Sequence, residues 1–188
     1  TADHLGLGGV NTLEDLAAVK SVVAESVTSS GVSILNADDA STRAMARYAG
    51  GRVCFYSASA IKSALLKEHI IGGGLAIARE AVGDKSHIVL YDDGKRTPVI
   101  AIDDIPATYS GAAKFNIENA ISATAIAHAL GIQTGIIHAA LSTFSSSFEQ
   151  NPGRFNIYDE HGFRVIMDYA HNPAALRAFF DTIHDMRS

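Results

Sequence analysis

Lys20 is the residue whose position argues most directly for chemistry in this 188-residue chain. Leu13, Leu16 and Lys20 fall on one face of a helix, so the spacing puts a lysine on an apolar stripe. Two readings stand. The stem can cover apolar surface while the ammonium reaches water. Alternatively, desolvation favours the neutral amine, which reacts with carbon dioxide to give a carbamate, an oxygen ligand for a hard cation such as magnesium. His4, beside Asp3, could be a metal ligand or a surface imidazole. Asn116 and Asn119, three apart, present two carboxamides on one helical face, offering paired donors and acceptors; Asn116 could equally cap the helix. Arg154 follows a Pro-Gly turn, where a guanidinium can meet a phosphate or simply be solvated. Asp168 ends an apolar run and precedes Tyr169, Ala170, His171, Asn172 and Pro173, which sets a carboxylate and an imidazole at a strand-to-helix turn.

The elements that must hold these residues read as an α/β fold. A helix is expected over 11–27, capped by Asn11 with Glu14 at the third helical position. A strand over 32–35 delivers Asn36-Ala37-Asp38-Asp39 at its carboxyl end, and a helix over 41–49 leads through Gly50-Gly51 to a strand over 53–57. Strand, helix, strand implies a mostly parallel sheet with flanking helices, and ligands of such sheets bind at the carboxyl ends of strands. Residues 62–105 read as a hairpin-rich excursion around the turn signal Asp92-Asp93-Gly94-Lys95. Gly72 to Gly74 lack a following Gly-Lys-Ser/Thr, which speaks against a phosphate loop there. Ala-rich helices over 117–130 and 134–144 should cover the sheet.

The polar, turn-prone stretch 145–152 reads as a linker. It divides the chain into a central α/β domain over 1–148 and the start of a second α/β domain over 149–188. In the latter, strands over 155–158 and 164–168 flank a turn and Pro173 opens a helix. Thr1 stands next to polar residues without structural lead-in, and 179–188 stops within a helical pattern, so both ends are expected to be cut from a longer chain.

Composition narrows the partners. Fifteen basic against 20 acidic residues leave −5, with no Lys/Arg block, which excludes a nucleic-acid or anionic-membrane surface and favours small-molecule substrates. The single cysteine, Cys54, sits among Val53, Phe55 and Tyr56 and reads as a core residue of a strand. No run nears the roughly 18 apolar residues of a membrane span, and no secretory pattern opens the chain, so a cytoplasmic setting is expected. A nicotinamide-binding fold would need a Gly-x-Gly-x-x-Gly turn, which is absent.

In order along the chain, Asp3-His4-Leu5, Lys20, Asn36-Ala37-Asp38-Asp39, Asn116-x-x-Asn119-Ala120, Pro152-Gly153-Arg154 and Asp168-Tyr169-Ala170-His171-Asn172-Pro173 resemble the Mur ligase superfamily. Asp3 to Gly9, Lys20 to Glu25, Lys67-Glu68-His69-Ile70 and Pro152 to Asn156 resemble most the members that add arginine to an aspartate polymer. The resemblance implies an ATP-dependent acid–amino-acid ligase that activates a carboxylate as an acyl phosphate and joins it to an amine, with ATP and Mg2+ as cofactors. Arginine and an aspartate-rich peptide acceptor would be its partners, and the full-length protein would be a homo-oligomer. It implies that His4 and carbamylated Lys20 hold metal, that Asn116 and Asn119 approach adenine, and that Arg154 meets the ATP phosphates. Asp168 would hold the ribose, with His171 and Asn172 beside the nucleotide or amine. Lys20, His4 and Arg154 would thus serve catalysis. The superfamily's phosphate loop, ending in Gly-Lys-Ser/Thr, precedes the Asp-His segment and is not in these 188 residues, so the isolated chain is expected to be inactive. Asp168-Tyr169-Ala170-His171 also resembles peptidoglycan-precursor ligases. A folylpolyglutamate-type ligase and a non-catalytic binding or regulatory module with the same fold stay open as well.

Overall fold

The structure is a computed structural model and describes residues 5–59, 61, 63–160 and 162–187. Five strands, β1 (Val32–Asn36), β2 (Arg52–Ser57), β3 (Leu75–Val82), β4 (Lys85–Asp92) and β5 (Lys95–Ala101), form one sheet in sequence order. β1, β2 and β3 pair in parallel, and β4 is antiparallel to both its neighbours, so four of the five strands share a direction. The expected mostly parallel α/β sheet is present, with one difference. Strands β3 to β5 do not leave the fold as an excursion; they are its continuation, because β3 hydrogen-bonds β2 directly. The hairpin signal is sound locally: Asp93 and Gly94 take φ of 48° and 75°, the left-handed pair that a tight two-residue turn between Asp92 and Lys95 requires.

Period-two alternation divides the sheet into two buried faces. Cys54, Leu75, Ile77, Ile88, Leu90 and Ile100 point toward α4 (Lys114–Ala129) and α5 (Thr134–Thr143), meeting Ile117, Ile121, Ala125 and Ile137. Phe55, Ala76, Ala78, Val89 and Tyr91 point the other way, onto Leu66 of α3 (Ala64–Ile71). Because helices cover both faces, Leu75 to Ala78 are buried in succession, which is why this stretch reads as a continuous apolar run. Cys54 is fully buried, and burial pushes its thiol up to about 12, so it is the inert core residue its neighbours suggested.

Helix boundaries move slightly from the sequence expectation. α1 spans Leu13–Glu25 and is capped by Thr12, whose hydroxyl accepts from Asp15 N while the Asp15 carboxylate accepts from Thr12 N. The capping box is therefore one residue later than Asn11 and Glu14. Asp39 caps the short α2 (Ala40–Ala44), which passes into a 3-10 turn. α4 starts three residues before the expected 117, so Asn116 lies inside the helix and does not cap it.

Beyond α5, β6 (Asn156–Tyr158) and β7 (Val165–Met167) form an antiparallel pair, followed by α6 (Pro173–Asp185). The stretch read as a linker is tied down by the buried Asn156 side chain, which donates to Ser146 O and Asn151 O and accepts from Gly153 N. Phe155, fully buried, packs its ring against Tyr109, Phe115 and Phe179. Lys114 and Asp185 add an exposed ion pair at 2.8 Å between α4 and α6. No helix among the described residues is long and apolar enough to cross a membrane.

Ile77 is wholly buried between β2, β4 and α4, whereas Ile71 is 85% exposed. Ile77→Ala is expected to cost ~2–5 kcal/mol in denaturant unfolding. Ile71→Ala should change stability by less than ~0.5 kcal/mol. Equal losses would mean that the face of the sheet turned toward α4 is not buried.

Candidate nucleotide site and the cavity beside it

The carboxyl ends of β1 and β2 carry a hydrogen-bonded array built by the Asn36-Ala37-Asp38-Asp39 turn. One Asp38 oxygen accepts from Ser57 Oγ at 2.7 Å, and the other from the backbone N–H of Ala58 and Ser59. The Asn36 carboxamide accepts from Asp38 N with its oxygen and donates to Glu118 Oε1 at 2.8 Å with its nitrogen. Glu118, on α4, is half-buried; burial and then the charge of Asp38 push its carboxyl above the usual range, against the opposing hydrogen bond from Asn36. Asn36, Asp38, Asp39, Ala58, Ser59 and Glu118 border a cavity of about 860 Å³. It lies at the strand ends, where ligands of α/β sheets bind.

A second cavity, of about 410 Å³, gathers four residues singled out by type and spacing: Asn116, Asn119, Arg154 and Asp168. Phe115, Asn151, Ala175, Ala178 and Phe179 complete its walls. Asn116 and Asn119 also border an adjoining apolar cavity of about 430 Å³ with Ala107, Leu141 and Phe144. Asn116 donates to Ala107 O at 2.7 Å and accepts from Asn119 Nδ2 at 3.3 Å, so the pair is fixed as a unit. An apolar cavity bordered by two carboxamides suits a purine, whose ring needs apolar walls and whose edge needs both donors and acceptors.

The opposite wall comes from two crossing turns. Phe155 takes φ of 53°, and its N–H donates to one Asp168 oxygen at 2.9 Å, while Ala170 N donates to the other at 2.7 Å. Tyr169 N donates to Gly153 O, locking the turns together. Each Asp168 oxygen retains a lone pair for a hydroxyl donor. Arg154 is exposed, its guanidinium 5.3 Å above the Tyr169 ring, and makes no ion pair among the described residues. The two neighbouring residues of the sequence reading, His171 and Asn172, do not line this cavity. Asn172 caps α6, accepting from Ala175 N at 2.8 Å. His171 is exposed against the Tyr169 ring and does not border the 410 Å³ cavity.

The metal side is less assembled. His4 lies outside the described residues. Lys20 is exposed, on a small cavity of about 240 Å³ with Leu13, Leu16, Asp39 and Thr42. It does share a helical face with Leu13 and Leu16, and Leu13 is itself 53% exposed. Among the described residues no group of three or more His, Cys, Asp or Glu could hold a metal ion. Sequence reasoning missed Glu118 and Arg79 as cavity residues; a carboxylate between Asn116 and Asn119 was the available signal for the first.

Glu118 gives a pH test. Its folded pKa is raised above 4.5, so the folded chain binds this proton more tightly than the unfolded chain does. The favourable contribution is complete below 4.5 and is lost as pH rises through the raised value. Glu118→Gln keeps an acceptor for Asn36 and removes the titration. Its stability relative to wild type should therefore grow as pH is raised above 4.5 and then level off, in denaturant titrations at several pH values. A pH-independent difference would contradict the assignment.

Comparison with known proteins extends the motif resemblance to the whole chain. Cyanophycin synthetase of Synechocystis sp. is 37% identical over 182 residues, which is 97% of this chain and 20% of that protein. The Nostoc sp. cyanophycin synthetase is 37% identical over 177 residues, 94% of this chain and 19% of its own length. UDP-N-acetylmuramoylalanine–D-glutamate ligase of Desulfitobacterium hafniense is 35% identical over 144 residues, 77% of this chain and 27% of that enzyme. No family model matches the chain. It thus spans about a fifth of the length of the cyanophycin synthetases it matches. This chain is homologous to one segment of the cyanophycin synthetases, and it is similar as well to a segment of a UDP-N-acetylmuramoylalanine–D-glutamate ligase.

Proposed function

We propose that the chain forms the nucleotide-side core of an ATP-dependent ligase that joins arginine to the β-carboxyl of aspartate in an aspartate-rich peptide. The observation that carries this reading is the 410 Å³ cavity, which brings together Asn116, Asn119, Arg154 and Asp168 from two separate parts of the fold. Similarity to cyanophycin synthetases over nearly the whole chain supports the choice of arginine and aspartate.

In this reading adenine enters the apolar slot beside α4, and the Asn116–Asn119 pair matches its polar edge. Asp168 accepts from the ribose hydroxyls. Arg154, tethered over Tyr169 and free of a carboxylate partner among the described residues, swings to the phosphates and offsets the charge that builds as the terminal phosphoryl group moves. An acceptor carboxylate oxygen takes that group, ADP leaves, and the resulting acyl phosphate is attacked by the amine nitrogen. The tetrahedral adduct then expels phosphate, and the nitrogen loses a proton. Magnesium bound with ATP would neutralise phosphate charge. The ligands proposed for a second ion are a carbamate on Lys20 and His4, which lies outside the described residues, so no step is routed through it.

The test is ADP release by the native-length protein, dependent on both arginine and an aspartate-rich primer. Asn119→Ala is expected to raise the KM for ATP about tenfold, as loss of one charge-neutral contact pair does. Arg154→Ala should lower kcat about a hundredfold or more, with less effect on the KM for ATP. ADP release indifferent to arginine, or unaltered kinetics in both variants, would sink the reading.

A further inference from the structure

The cavity at the carboxyl ends of β1 and β2 holds a cation that the nucleotide reading leaves unused. β2 pairs with β3 only as far as Ser57 with Ala78. From Arg79 onward β3 runs past the end of β2 with β4 alone. By the period-two rule Arg79 follows Leu75 and Ile77 on the face that packs against α4, so an arginine stands where the apolar stripe would continue. It is half-buried and borders the 860 Å³ cavity together with Ser86, Lys114 and Glu118.

Its guanidinium is aimed but unneutralised. Nε donates to Ser86 Oγ at 2.8 Å, which fixes the plane of the fork. Among the described residues Arg79 makes no ion pair. The acids around it are otherwise engaged. Asp38 accepts from Ser57, Ala58 and Ser59; Asp39 caps α2; Glu80 pairs with Arg96 and Tyr91; Glu118 accepts from Asn36. Lys114, the other cation of the wall, is already paired with Asp185. A planar fork whose terminal nitrogens make no hydrogen bond among the described residues matches the two oxygens of a carboxylate. The carboxylates of Asp38, Asp39 and Glu118 on the same cavity disfavour a doubly charged phosphate and tolerate a singly charged ligand better.

We propose that Arg79 recognises a carboxylate of the substrates being joined, either the α-carboxylate of the amino acid or a carboxylate of the acceptor peptide. The identity of those substrates rests on the ligase reading; carboxylate recognition at Arg79 does not.

The Nε–H resonance of Arg79 in the isotopically labelled chain reads this directly, titrated separately with L-arginine, argininamide, tri-aspartate and inorganic phosphate. A saturable shift with tri-aspartate but not arginine assigns the acceptor. A shift with arginine but not argininamide assigns the amino acid. Either supports the proposal. Arg79→Gln should weaken the same ligand about tenfold or more, followed at the Ser86 and Glu118 amides, and Arg79→Lys should recover only part of it. The proposal is overturned by no shift with either carboxylate ligand, by argininamide matching arginine with tri-aspartate inert, by phosphate saturating at lower concentration, or by unaltered affinity in Arg79→Gln. Because no ATP is present, failure here is distinguishable from failure of the ligase reading.

Discussion

The ring of Phe155 occupies the junction between the five-stranded sheet and the β6–β7–α6 unit, and its backbone is held at both ends. Its N–H donates to Asp168, its carbonyl accepts from the Tyr109 hydroxyl, and its ring meets Tyr109, Phe115 and Phe179. A non-glycine residue at φ of 53° costs roughly 1–2 kcal/mol, which full burial of a large aromatic offsets. The same constraint orients the neighbours. Arg154 precedes Phe155 and is turned out toward the cavity, Asp168 is drawn in by the Phe155 amide, and Phe115 brings the start of α4, with Asn116 and Asn119, to face them. The 410 Å³ cavity exists because one aromatic residue fastens two parts of the fold together.

The same helix, α4, serves two cavities from one face each. Asn116 and Asn119 turn toward the apolar slot and the Phe155 junction, while Glu118, between them, turns toward the strand ends and meets Asn36. Helical spacing makes this division possible, since residues one and two apart diverge in direction. A ligand in one cavity is thus a single side chain away from a ligand in the other, the arrangement a reaction between a nucleotide-activated carboxylate and a second substrate requires.

Much of this was legible from residue patterns. The Ala-rich helices, the alternation of Cys54 and Phe55, and the polar residues at the end of β1 are local signals. So is the Asp-Gly turn, although its strands' place in the main sheet depends on pairing with β2 that no local pattern encodes. The start of α4 was placed too late because Ala113 offers no side-chain cap and Lys114-Phe115 carry no start signal. At α1, Asn11 and Thr12 are both good caps, and a one-residue phase cannot be chosen by type alone. Asn116, Asn119, Arg154 and Asp168 could be named from type, spacing and resemblance; the cap that Asn172 gives α6 and the exposure of Lys20 depend on local geometry. Arg79 and Glu118 were hidden for a different reason: their surroundings are assembled from residues far apart in sequence, as with Asn36 and Glu118, 82 positions apart.

The central claim is that a nucleotide lies between α4 and the turns fixed by Phe155. Photolabelling of the native-length protein with an adenine-azido ATP analogue, followed by peptide mapping, tests it most directly. The account predicts labelling, blocked by excess ATP, within 105–123 and 140–151, the segments that border the apolar slot. ATP-protected labelling confined to 36–59, at the strand ends, would contradict it.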